Sequence, residues 1–84
     1  MTTEMIGKFV ENKNRKNLPV LIHFKERSSI KGFFIRSADY DELKSKNFWR
    51  IVSDARMEEW NRTRNIDIPK IFNGISFTRL TDNE

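Results

Sequence analysis

The stretch at 70–80, KIFNGISFTRL, sets an Asn-Gly pair between two apolar, β-prone runs. Asn-Gly is the strongest short hairpin signal, because both residues accept the positive φ that a type I′ turn demands. It predicts strands over 68–72 and 75–80, closed by Asn73-Gly74. Pro69 confines the first of these to an edge, a strand start or a bulge, since proline has no N–H for a central ladder. A hairpin also leaves edges that the remaining chain must pair or cover.

Three upstream runs can supply that cover. PVLIHFK at 19–25 puts Val20, Ile22 and Phe24 on one face and Leu21, His23 and Lys25 on the other. The polar ERSS turn separates it from IKGFFIRS at 30–37, where Gly32 predicts a bend or bulge. A polar connection, ADYDELKSKN, leads to FWRIVSD at 48–54, with Trp49 and Ile51 opposite Phe48, Arg50 and Val52. Ahead of the strands, residues 3–14 read as an amphipathic helix capped by Thr3, with Glu4 in its first turn. Met5 with Phe9 and Ile6 with Val10 form one apolar stripe, which must dock to be stable at this length. The polar run ENKNRKN ends the helix, and Pro19 blocks its continuation.

Residues 55–65, ARMEEWNRTRN, support two readings. Glu58 and Arg62 are spaced for an ion pair on a helix whose face carries Met57 and Trp60, yet the same residues could extend a hairpin. The predicted fold is a single mainly β domain: an N-terminal helix followed over 19–80 by a small antiparallel barrel, closed or nearly so.

A core this small needs density, which seven Phe, two Trp and one Tyr provide. There is no cysteine, so neither a disulfide scaffold nor a thiolate metal site is expected, and a reducing, cytoplasmic setting is the easier reading. No apolar run approaches the roughly 20 residues that span a bilayer. Sixteen basic against twelve acidic residues give a net charge of +4, which permits a nucleic-acid partner.

The helix, then LPVLIHFKERSSIKGFFIRSADY, a strand, and IPKIFNGISFTRL resembles the Sm-like family, within it the bacterial Hfq type. The family's first motif resembles residues 20–24, the turn 26–29, Gly32 and Asp39; its second resembles residues 68–80. Residues 54–65 look like an insertion, and the Tyr-Lys-His-like element of Hfq proteins is not found. The resemblance implies a small barrel of the Src-homology-3 type, single-stranded RNA as partner and self-association through edge strands. Sm-like sites stack an aromatic on a base, read its edge with a polar side chain and set a cation near the phosphate. The residues that fit those roles are Tyr40, Asn47, Phe48, Lys70 and Asn73.

Other side chains carry blander readings. His23, the single histidine, reads as a half-buried residue with no partner for a zinc site. Asp39, Asp41 and Glu42 read as a solvated loop, and Trp49 and Trp60 as core or interface. No phosphate loop, nucleophile elbow or zinc helix motif occurs, so no enzyme, cofactor or metal is expected. A second reading is a protein-interaction or structural barrel that lacks the RNA site.

Overall fold

Alternation at the start of the first β-prone run is realised as strand β1, Val20–Phe24, which buries Val20 and Ile22. The structure is a computed structural model and describes residues 1–14 and 18–82. β1 pairs antiparallel with β2, Ile30–Phe34, and β2 with β3, Phe48–Ser53. β3 pairs with β4, Lys70–Asn73, while β5, Phe77–Asp82, returns to the free side of β1. The five-stranded sheet runs β4-β3-β2-β1-β5.

The predicted hairpin is therefore not formed. β4 and β5 lie on opposite edges, joined by a 3-10 helix over Gly74–Ser76, and do not pair with each other. No glycine has a positive φ, so Asn73-Gly74 is not a type I′ turn. Asn73 is extended instead (φ −85°, ψ 120°), and its side chain accepts from the Ile75 N–H at 3.0 Å. Edges of a flat five-stranded sheet would stand about 19 Å apart, whereas a short 3-10 helix rises only about 2 Å per residue. The sheet must curl to bring its edges together. It remains unclosed as a barrel, with an open seam where β4 and β5 would have paired.

Gly32 does not mark a bulge. A Cβ there would come 2.6 Å from the Val52 carbonyl oxygen, so the glycine permits close approach of β2 to β3. The register shift falls between His23 and Phe24, opposite β5.

Helix α1 spans Thr3–Val10, shorter than expected, and its N-cap is Thr2, which accepts from the Met5 N–H at 3.2 Å. Thr3 donates instead to the Lys44 carbonyl at 2.9 Å. Ile6 and Val10 enter the core with Phe9 beside them, while Met5 points out and is 55 % exposed. Of the run expected to end this helix, residues 15–17 lie outside the described residues.

The connection before β3 holds a second helix, α2, Tyr40–Ser45. Its Tyr40 ring meets Trp49 edge-on at 5.9 Å, so tertiary packing stabilises a segment too polar to read as a helix. The segment 55–65 takes the helical and not the hairpin form as far as Thr63: a 3-10 turn, Asp54–Arg56, then α3, Met57–Thr63. Its ion pair is Arg56–Glu59 at 2.8 Å, not Glu58–Arg62.

The two faces of β3 feed different cores. Trp49 and Ile51 join Ile6, Val20, Ile22 and Phe77 within the curl. Val52 packs outside against Trp60 and Ile68, so α3 covers part of the outer face.

Candidate nucleic-acid interface

The seam is organised by Asn47, whose left-handed backbone (φ 61°) follows the last turn of α2. Asparagine tolerates this conformation better than most residues. Its carbonyl accepts from the Gly74 N–H at 2.8 Å, and its Oδ1 accepts from Trp49 Nε1 at 2.8 Å. Its Nδ2 donates to the Met1 carbonyl at 3.1 Å, and the Met1 amine donates to the Gly74 and Phe77 carbonyls at 3.0 and 2.8 Å. Gly74 is pressed against Asn47 Oδ1 and Ile6 Cδ1, so a Cβ has no room there. Asn47 is thus committed to holding the seam.

Beside this turn, a groove of about 490 Å³ opens between the end of β1 and the end of β4. Phe24 and Phe72 form its apolar floor, with ring centroids 5.8 Å apart. The Arg27 guanidinium lies 5.1 Å from the Phe24 ring centre and 5.8 Å from that of Phe72, a cation–π arrangement over both. The Lys25 N–H donates to the Ser76 carbonyl at 3.0 Å, fixing the loop after β1 against the 3-10 turn. Lys25, Asn73 and Ser76 line the rim with one carboxylate, Glu26. Neither Lys25 nor Arg27 has a carboxylate partner among the described residues.

The predicted site residues are only partly brought together. Phe48 and Asn73 are register partners across β3 and β4, next to Asn47. Phe48 belongs to neither core; it stands half-buried on the outer face. Asn73 reaches the groove. Lys70 sits at the other end of β4, opposite Ile51, and faces a different cleft. Tyr40 is held elsewhere, its hydroxyl donating to Glu11 Oε2 at 2.6 Å and Arg36 lying 5.5 Å from its ring centre. Burial first, then the hydrogen bond to Glu11, pushes the Tyr40 hydroxyl well above its usual pKa. Phe24, Lys25, Arg27 and Phe72 were not singled out in the sequence. Their one local signal was an aromatic strand end followed by Lys25 and, beyond Glu26, Arg27.

The remaining polar clusters do structural work. Asp39 accepts from Arg50 Nε and Nη2 at 3.3 and 2.7 Å and from the Ser37 hydroxyl. The Arg50 guanidinium, then Ser37, pulls its carboxyl down to about 2. His23 Nδ1 lies 3.1 Å from Ser29 Oγ, while Arg79 Nη2 approaches Nε2 at 3.4 Å. A guanidinium only donates, so in the tautomer whose Nε2 accepts from Arg79 the proton sits on Nδ1 and Ser29 is the acceptor. That polarity does not activate the serine hydroxyl. Among the described residues, no group of three His, Asp or Glu is placed to hold a metal ion, and no helix is long and apolar enough to cross a membrane.

Comparison of the chain with protein-family models, with curated proteins and with solved structures finds no match in any of the three.

Proposed function

We propose that this chain is a non-enzymatic, Sm-like domain that binds single-stranded RNA at the seam of its curled sheet. The Phe24–Phe72 floor under Arg27 carries this reading, because it sets stacking surfaces and an unpaired cation in one groove. A base entering the groove stacks on a ring while Arg27 turns toward the phosphate. Such stacking contributes about 1–3 kcal/mol per base, and backbone contacts make binding steeply salt-dependent. Asn73 at the rim offers its amide nitrogen to a base edge, since its Oδ1 already serves Ile75. The Sm-like part of this reading rests on the resemblance of residues 20–24, 26–29, Gly32, Asp39 and 68–80 to the family's two motifs.

Fluorescence anisotropy with short U-rich and A-rich oligonucleotides at several salt concentrations tests the proposal. The expected result is a steep fall of affinity with salt, and a loss of at least about fivefold in Phe72→Ala or Arg27→Ala. Affinity that does not respond to either substitution would place RNA elsewhere or nowhere. The second reading, a protein-interaction module, draws on Ile71 and Ile75, which are 49 % and 61 % exposed beside the free edge of β4. Saturable self-association without RNA binding would favour it.

A further inference from the structure

On the other side of Arg27 lies a second cleft of about 390 Å³, between β3, β4 and the 3-10 turn that carries Arg56. Its floor is almost wholly aliphatic: Ile30, Ile51, Ile68 and Ile71, with Phe72 at one side. Arg27, Arg56 and Lys70 line it, and no carboxylate does. Only Arg56 is paired, with Glu59 at 2.8 Å. Lys70 is the Cα partner of Ile51, so its side chain leaves β4 on the face that carries the core. A charged residue facing inward on an edge strand also discourages unwanted strand pairing. That role does not require two further cations or an apolar floor beneath them.

We infer that this cleft binds an aliphatic carboxylate, with the chain on the isoleucine floor and the carboxylate between Lys70 and Arg27. Charge complementarity fixes the sign of the head group. The floor fixes the body. A nucleobase would set its hydrogen-bonding edges against isoleucine side chains, with Ser53 the one uncharged polar side chain in reach, and buried unpaired polar groups are costly. An alkyl chain has no such groups to satisfy. The inference does not depend on RNA binding at the neighbouring groove.

Methyl-resolved NMR of the full chain, titrated with monomeric decanoate, tests the site. Decanoate should shift the methyl resonances of Ile51, Ile68 and Ile71 saturably, with decanol and adenosine monophosphate weaker there. Lys70→Glu should weaken decanoate at least about tenfold, since it sets a carboxylate against a carboxylate, while Lys70→Arg should bind like the parent. Lys70 is exposed, so these variants should melt like the parent; if Lys70→Glu does not fold, Lys70→Gln with a smaller loss replaces it. No shift with decanoate, equal binding of decanol, tighter binding of adenosine monophosphate, or an unaffected Lys70 variant would each overturn the inference.

Discussion

Gly74 and Asn47 are in such close contact that the amide of one donates to the carbonyl of the other at 2.8 Å and no side chain fits between them. The glycine is required for space and not for backbone conformation. Gly74→Ala should therefore destabilise the fold by about 1–3 kcal/mol, the usual cost of forcing atoms into a packed site. Chemical denaturation checks this, and a parent-like midpoint would refute the contact.

Asn47 sets one cost, a left-handed backbone, against two side-chain hydrogen bonds. Asn47→Ala loses the bonds and keeps the strain, while Asn47→Gly loses the bonds and relieves it. The glycine variant should be the more stable of the two by about 1 kcal/mol. Equal melting temperatures would mean that the strain is not felt.

Asn73→Asp keeps an oxygen for the Ile75 N–H, because asparagine and aspartate cap helices about equally well. Stability should stay within about 0.5 kcal/mol. If RNA enters the seam groove, the new charge should weaken oligonucleotide binding more than Asn65→Asp does, since Asn65 lies outside the groove lining. Equal binding by both variants would remove Asn73 from the site.

Acid should loosen the contact between the loop before α2 and β3. Asp39 is held at about 2 against an ordinary 3.8, so its ion pair with Arg50 stabilises the fold above the ordinary value. That contribution is lost as the pH falls through the folded value. Glu11 is lowered as well, by Lys44 first and Tyr40 second, and adds to the same acid limb. Asp39→Asn should flatten the melting temperature against pH between 3.8 and about 2. An unchanged slope would show that the pair does not contribute in solution.

Among the described residues, β4 and β5 are the edge strands of the sheet, each paired with one neighbouring strand. Self-association through them is expected, and sedimentation should give a species above 10.1 kDa that Ile71→Pro shifts toward monomer. A monomer at high protein concentration would reject it.

The strands were legible because alternation is local: Val20, Ile22 and Phe24 against Leu21 and His23 needs only a period of two. Helix α2 was not, since Tyr40 is held by Trp49 and Glu11, residues distant from one another in the sequence. The Asn-Gly pair marks a tight connection in either case. Whether it closes a hairpin or caps a 3-10 helix depends on which strands its flanks join, here β3 and β1, and no local signal carries that. The groove was hidden for the same reason. Phe24, Arg27 and Phe72 meet only across the seam, whereas Asn73, placed by its own turn, could be found.

The pairing of β1 with β5, from Val20 opposite Asp82 to Phe24 opposite Phe77, also sets the order in which the domain can be assembled. β1 is synthesised early, yet one of its two edges has no mate until almost all of the domain has been made. Contacts that close so long a loop are slow to form, and an unmated apolar strand invites association with other chains in the meantime. A nascent chain stalled before Phe77 should thus be the aggregation-prone form of this domain, and completion of β5 the step that commits it to the native state.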